Sequence, residues 1–203
     1  MIMRQKVTAT RGRFLKSIFP VLANREGIAP ETASTPFLDL SVTYRVIMKK
    51  GSMQGSSRML SVADLETLGV SLEWIHEKAL ENLRREGGMV VLDDSMKLSP
   101  VKVYAITNRH WMYGAAVMLA PDAVEGLDGI SGNGLFLLPS SVHEWVAMPY
   151  MEGVNAAGLI QIIRVINKCS FIVGEDEVLG DTVYLYRDGK MSIAAKEVGE
   201  PCM

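Results

Sequence analysis

The chain has 203 residues, of which 48% are apolar and 22% are charged, and its formal net charge at pH 7 is −2. This composition is typical of a folded globular protein and argues against a chain that is disordered throughout. The near balance of charge gives no overall field that would attract nucleic acid, and no window approaches the roughly 18 apolar residues of a membrane span. We therefore expect no membrane insertion.

Residues 1–36 are predicted to form a basic N-terminal arm and a loop, with one short helix at most. Prolines and glycine interrupt any regular period in this segment, at Pro20, Gly27, Pro30 and Pro36. Basic side chains crowd its start, at Arg4, Lys6, Arg11, Arg13 and Lys16. We interpret them as a solvated arm, and nucleic-acid binding through this arm is the weakest of three functional hypotheses.

Residues 37–196 are predicted to form a single α+β domain. Alternating apolar side chains from Phe37 to Met48 indicate a half-buried strand, and a shorter strand up to Leu60 completes a hairpin. Ser61 is placed to cap a helix that Gly69 ends, and an apolar stripe predicts a second helix from Leu72 to Arg85. Residues 87–101 contain Gly, Asp, Ser and Pro, which predicts a surface loop and a candidate break between subdomains.

The second half repeats this pattern of paired strands and helices. Strands are predicted near residues 101–107 and 114–119, on both sides of Pro139, and around an Asp188-Gly189 turn, with helices after Pro121 and Asn155. Residues 197–203 are predicted to be a frayed tail. Because adjacent antiparallel pairs alternate with helices, we expect an antiparallel sheet built from β-hairpins, with helices packed on one face.

The run from Leu135 to Val146 places two hydroxyls, an imidazole and a carboxylate between apolar segments. In a serine hydrolase, Ser140 or Ser141 would be the nucleophile, His143 the base and Glu144 the group that orients the base. Along a strand, however, Ser141 and His143 share one face and Glu144 lies on the other. The Gly-x-Ser-x-Gly elbow is also missing. We therefore favour a turn at Pro139 in which the hydroxyls satisfy backbone groups.

Metal and cofactor sites are not indicated by the sequence. The three histidines, His76, His110 and His143, lack ligand spacing with the available carboxylates, which are Asp93, Asp94, Glu175, Asp176 and Glu177. The glycine-rich stretch 129–134 precedes a strand, whereas a phosphate cradle follows a strand and opens a helix. We predict no metal and no cofactor. Cys169 and Cys202 are interpreted as free thiols in a reducing compartment, which indicates the cytoplasm.

A candidate binding segment interleaves basic and aromatic residues. Arg109, His110, Trp111 and Tyr113 lie together in a predicted hairpin loop around Met112. Such a loop can anchor a protein partner, stack on a nucleic-acid base, or fold back on the core. The near-neutral charge favours a protein partner over nucleic acid, and a loop folded back on the core is favoured over both binding roles.

Several of these segments resemble the bacterial family catalogued as domain of unknown function 5688. The resemblance is carried by Phe37-Leu38-Asp39-Leu40-Ser41-Val42, Leu68-Gly69-Val70-Ser71, Thr107-Asn108, Gly114-Ala115-Ala116, Leu137-Leu138-Pro139-Ser140-Ser141-Val142-His143-Glu144 and Gly180-Asp181-Thr182-Val183-Tyr184. It implies a fold and a bacterial cytosolic setting, commonly in gut anaerobes and mobile elements, and it transfers no catalytic residue. Members usually have a longer region before the first strand, so we expect this chain to be a shortened form or a fragment.

The leading functional hypothesis is a noncatalytic interaction or regulatory module with an unknown protein partner. It follows from two observations: the apolar pattern specifies a folded core, and the sequence contains no complete set of catalytic or cofactor-binding residues. The principal alternative is a serine-dependent hydrolase that uses Ser141 and His143. The sequence leaves the oligomeric state open.

Overall fold

A computed structural model describes residues 12, 14–50, 53–86, 89–93, 102–120, 127, 130, 132–168 and 174–196. The chain divides into two compact units, residues 1–87 and 88–203. The division falls at the edge of the 87–101 segment, for which the sequence predicts a candidate break. Several predictions lie outside the described residues: most of the basic arm, the helix after Pro121, both cysteines and the C-terminal tail.

The first unit is built on a long central strand, β3. This strand pairs antiparallel with β1 along one edge and with β2 and then β4 along the other. The strands are β1 (Ile18–Asn24), β2 (Ser34–Phe37), β3 (Leu40–Lys50) and β4 (Met53–Met59), and the 3-10 helix η1 (Arg25–Gly27) follows β1.

The prediction of an arm and loop over residues 1–36 is wrong for its second half. Residues 18–24 form an edge strand whose Ile18 and Leu22 are fully buried. Pro20 suggested a loop, but a proline is compatible with an edge strand because only one side of such a strand is paired. The predicted strand from Phe37 is also divided: Phe37 ends β2, and a turn through Leu38, which has φ +52°, leads into β3.

Two helices follow the hairpin, as the sequence predicts: α1 (Val62–Leu68) and α2 (Leu72–Arg85). Ser61 and Asp64 form a capping box at the start of α1, and Gly69 ends α1 in the left-handed conformation. Ser71 caps α2. The buried stripe of α2 includes Ile75, and the helix packs against β1, β2 and β3.

The second unit is a six-stranded antiparallel sheet in the order β10-β9-β7-β8-β6-β5. Its strands are β5 (Met89–Asp93), β6 (Tyr104–Asn108), β7 (Leu135–Ser141), β8 (Glu144–Pro149), β9 (Val183–Arg187) and β10 (Lys190–Ala195). Helix α3 (Ala156–Lys168) packs against β7, β9 and β10. Its buried face meets the sheet in a cluster of Phe136, Leu138, Leu159, Ile160, Ile163 and Val183.

The antiparallel α+β class is thus confirmed, with the strands divided between two sheets. Three local predictions in the second unit are wrong. Residues 89–93 form β5 where a loop was expected, and Gly114–Leu119 form a buried 3-10 helix, η2, where a strand was expected. Pro139 lies inside β7, and the hairpin turn comes later, at Val142-His143. None of the helices in the described part of the chain combines the length and apolarity needed to cross a membrane.

Candidate functional site

The segment between β6 and η2, residues 109–113, forms a tight turn organised by Asn108, and we call it the Trp111 turn or the Arg109–Tyr113 turn. The Asn108 side chain accepts a hydrogen bond from the His110 amide at 2.9 Å and donates one to the Met112 carbonyl at 2.9 Å. Its main-chain oxygen accepts from the Trp111 amide at 3.2 Å. Because one residue bonds to three successive positions, the whole turn is held in a single conformation.

This turn contains two aromatic residues in the left-handed backbone region. Trp111 has φ +54° and Tyr113 has φ +52°. That conformation costs a residue with a β-carbon about 1–2 kcal/mol. Strain of this kind persists only where surrounding contacts enforce it, and it concentrates at functional sites. The turn is therefore an energetically costly way to place these two side chains.

The two aromatic rings have different surroundings. Trp111 is 53% exposed and is the most exposed of the three tryptophans, since Trp74 is 38% exposed and Trp145 is fully buried. Tyr113 instead stacks on the His143 ring, with centroids 5.6 Å apart and planes inclined by 25°. The turn therefore presents an indole to solvent while its base is anchored to the next hairpin.

His143 is the residue that anchors the base of this turn. Its Nδ1 accepts a hydrogen bond from the Tyr113 amide at 3.0 Å, and its Nε2 lies 3.0 Å from Glu177 Oε1. Because Nδ1 must be an acceptor here, the neutral ring carries its proton on Nε2 and donates it to the carboxylate. Both ring nitrogens are engaged in holding the turn to the 3-10 helix η3 (Glu175–Glu177).

The main chain around His143 is held just as firmly. Thr107 Oγ1 donates to the His143 carbonyl at 2.7 Å, and the Ala115 amide donates to the Val142 carbonyl at 3.2 Å. The Val142 amide donates to the Glu177 carbonyl at 2.9 Å. The β7–β8 turn is thus joined to β6, η2 and η3 at once, which makes it the junction that positions the Trp111 turn.

Glu177 completes the junction. The hydrogen bond from His143, together with one from the Gly174 amide, holds the pKa of the Glu177 carboxyl below its usual 4.5. A carboxyl whose pKa is depressed by folding stabilises the folded state above the unfolded pKa, and this stabilisation is lost as the pH falls through the folded pKa.

We therefore expect Glu177→Gln to flatten part of the acid dependence of stability. The free energy of unfolding of the second unit should fall less steeply below about pH 4.5 in this variant than in the wild type. Asp176→Asn, which changes an exposed neighbour in the same 3-10 helix, is the matched control and should keep the wild-type slope. Urea unfolding at a series of pH values provides the measurement, and equal slopes for the wild type and Glu177→Gln would contradict this assignment.

The candidate catalytic residues do not meet as a triad. Ser141 Oγ accepts a hydrogen bond from the main-chain amide of His143 at 3.0 Å, so the pair forms a local turn. Ser140 Oγ donates to the Glu144 carbonyl at 3.3 Å and to its Oε1 at 3.4 Å. The serines are only 3% and 5% exposed, respectively. The carboxylate that orients His143 is Glu177 rather than Glu144, and it lies 34 residues along the chain.

These features lie in a region that a known family covers. The model of a family of unknown function, DUF5688, matches residues 22–188. The chain belongs to the DUF5688 family. No curated protein and no solved structure shows significant similarity to it. The resemblance inferred from the sequence motifs is confirmed, and the family match includes the Trp111 turn, His143 and Glu177.

The remaining histidines of this DUF5688 protein have separate environments. His76, in the first unit, lies 2.9 Å from the Tyr44 hydroxyl, and burial lowers its pKa. Burial also raises the pKa of Tyr44 to about 12. His110, in the second unit, accepts a hydrogen bond from Arg109 Nε at 3.1 Å. Among the described residues, no three His, Cys, Asp or Glu side chains come together as a metal site.

Sequence reasoning missed the His143–Glu177 pair as an anchor. His143 was considered as a catalytic base or a metal ligand and Glu177 as a metal ligand, because no local spacing links two positions so far apart. It also missed Asn108 as the organiser of the turn. A signal for Asn108 was present, since Asn directly before a polar and aromatic segment is typical of a side-chain-capped turn.

Proposed function

We propose that this DUF5688 protein is a noncatalytic interaction module that binds a protein partner through the Arg109–Tyr113 turn, with Trp111 as the anchor. The observation that carries the proposal is a half-exposed indole at the tip of a strained turn that hydrogen bonds hold rigid. Tryptophan, with tyrosine and arginine, is enriched among the few residues that dominate binding energy at protein interfaces. A fixed turn also loses little conformational entropy on binding.

The neighbouring side chains specify the chemistry of the partner. Arg109 and His110 are exposed beside Trp111, so the tip combines an aromatic anchor with a basic edge. The matching surface is an apolar pocket that accepts the indole, bordered by carboxylates that face Arg109. We infer a folded protein partner with this surface, in the bacterial cytosolic setting that the family resemblance implies.

The hydrolase alternative has less support. Catalysis by Ser141 needs the His143 ring beside its hydroxyl, whereas both ring nitrogens bond elsewhere and the hydroxyl accepts from a backbone amide. Labelling of Ser140 or Ser141 by a fluorophosphonate probe, lost in His143→Ala, would favour the hydrolase. The nucleic-acid alternative predicts binding that weakens steeply with salt and disappears when residues 1–16 are removed.

Replacing Trp111 with Ala is expected to abolish capture of the partner from a lysate of the source bacterium. The matched control is Trp74→Ala, which removes a partly exposed tryptophan from the first unit and should leave capture unchanged. Quantitative mass spectrometry of the captured proteins provides the measurement. Identical sets of captured proteins for wild type and Trp111→Ala would exclude this turn as the contact surface.

A further inference from the structure

A second candidate site lies in the second unit, in a polar cleft of about 730 Å³. Its walls are the Gly132–Gly134 turn before β7, the chain from Tyr150 to Glu152 after β8, and the β9–β10 turn with Arg187 and Asp188. The volume falls within the roughly 300–1,000 Å³ of small-molecule sites. The cleft is therefore large enough for a small metabolite.

Arg187 is held rigidly at this cleft. Its guanidinium carbon lies 4.1 Å from the centre of the Tyr150 ring, and its Nε donates to the Asn133 carbonyl at 2.7 Å. Tyr150 is itself fixed, because its amide donates to the Gly134 carbonyl at 2.8 Å and its ring packs on Phe136. The Nε–H is used within the protein, and among the described residues no group accepts from the four N–H donors at the end of the guanidinium, which can therefore bind a ligand.

Gly134 is required for this arrangement. It has φ +126°, and a Cβ there would lie 2.8 Å from the Tyr186 carbonyl oxygen and 3.3 Å from Arg187 Nε. A larger residue would therefore clash with the Tyr186 main chain and press on the Arg187 side chain. The backbone here approaches closely enough to fix the guanidinium against the tyrosine ring, which is how a binding group is preorganised.

The same cleft also carries negative charge. Glu152 and Asp188 line it, and neither forms an ion pair with Arg187 among the described contacts. A cation and two carboxylates thus share one cleft with no direct ion pair between them among the described contacts. This pattern disfavours a phosphate-rich ligand, which the carboxylates would repel, and favours a ligand that bears both charges.

We propose that this cleft binds a small zwitterion whose carboxylate pairs with Arg187 and whose protonated amine lies against Glu152 and Asp188. Two sources supply this chemistry, a free α-amino acid and a short peptide. The end of the Arg187 guanidinium binds the carboxylate of the ligand through two parallel hydrogen bonds. The site is separate from the Trp111 turn and does not depend on the protein-binding proposal.

Calorimetric titration of the full chain with the standard L-amino acids and with dialanine tests the proposal, up to about 10 mM, a range that covers weak metabolite binding. At least one probe is expected to bind, and a preference for the amino acid or for dialanine identifies the source. The N-acetyl and amide derivatives of the best probe, which each lack one charge, should bind at least about 10-fold more weakly, because a charge-assisted hydrogen bond contributes about 1.5–3 kcal/mol.

Variants connect the binding to this cleft. Arg187→Gln is expected to weaken binding at least about 10-fold, as the loss of a charge-assisted pair implies. Glu152→Gln, at an exposed position, should weaken binding of the amine-bearing probes only. Lys190→Gln removes an exposed charge beside the same turn without lining the cleft and should have no effect. The proposal is overturned if no probe binds, if a derivative that lacks one charge binds as well as the zwitterion, or if Arg187→Gln and Lys190→Gln behave alike.

Discussion

Gly114→Ala is expected to destabilise the second unit by about 3 kcal/mol, because overpacking against fixed atoms costs about 1–3 kcal/mol and a hydrogen bond is lost as well. A Cβ at this position would lie 2.1 Å from Thr107 Oγ1, 2.4 Å from the His143 carbonyl oxygen and 2.8 Å from the Asn108 amide nitrogen. Two of these atoms belong to the main chain and cannot move aside alone. The Thr107–His143 hydrogen bond would be broken, and with it the junction that positions the Trp111 turn.

Gly158→Ala provides the matched control for this prediction. Gly158 lies exposed in α3 with open space where a Cβ would go, so alanine should stabilise the helix by about 0.5–1 kcal/mol. Urea unfolding, combined with amide hydrogen exchange of β7, reports on this unit by itself. A loss below about 1 kcal/mol for Gly114→Ala would show that the close approach at the junction is not tight, since even mild overpacking costs that much.

Asn82→Ala is expected to destabilise the first unit by about 2–4 kcal/mol, because buried carbonyl groups left without a donor each cost about 1–3 kcal/mol. Asn82 is fully buried on α2, and its Nδ2 donates to the Leu15 carbonyl at 2.7 Å and to the Ile18 carbonyl at 2.8 Å. Its Oδ1 also accepts from Arg85 Nη1 at 2.6 Å. The side chain therefore fastens the start of β1 to the helix.

Two further variants separate this role from simple packing. Asn82→Asp keeps the size and the acceptor but loses both donors, so it should be at least as destabilising as Asn82→Ala. Glu77→Ala, at an exposed position of the same helix, should change stability by less than about 0.5 kcal/mol. Hydrogen exchange of the β1 amides measures each effect in this unit. If Asn82→Asp is as stable as the wild type, the two donated hydrogen bonds do not hold β1.

Features with local causes could be predicted from the sequence. The Asp188-Gly189 turn has φ of +51° and +71°, the left-handed pair that this dipeptide favours, and it joins β9 to β10 as expected. The capping box at Ser61 and the left-handed Gly69 likewise follow from residue types that act on their own neighbours. Helix α2 was predictable because its apolar stripe has a clear period.

Features set by tertiary packing could not be predicted in this way. Pro139 suggested a turn, yet it lies in β7 where the register with β8 shifts between Leu138 and Ser141 and where pairing with β9 has already ended. A proline fits this irregular position because no ladder hydrogen bond is required there. The short apolar run Gly114–Leu119 was predicted as a strand, but a run this short has no period that distinguishes a strand from a helix. In the folded chain it forms the buried 3-10 helix η2.

In the candidate site, too, the features with local causes could be predicted and those set by tertiary packing could not. The aromatic and basic composition of the Arg109–Tyr113 segment was visible in the sequence, and so was the prominence of His143. The partner of His143 is Glu177, and only the folding of η3 against the β7–β8 turn brings the two together. A histidine that looked like a catalytic base is, in the folded chain, a hydrogen-bonded link between a strained turn and a carboxylate.

The dissociation constant of the captured partner, measured for wild type, Trp111→Ala and Trp74→Ala, tests most directly whether Trp111 is the binding anchor. Removal of a central tryptophan typically costs 2 kcal/mol or more, so Trp111→Ala should weaken binding at least about 30-fold. Trp74→Ala should bind like the wild type. Equal affinities for Trp111→Ala and the wild type, with both proteins folded, would contradict the account.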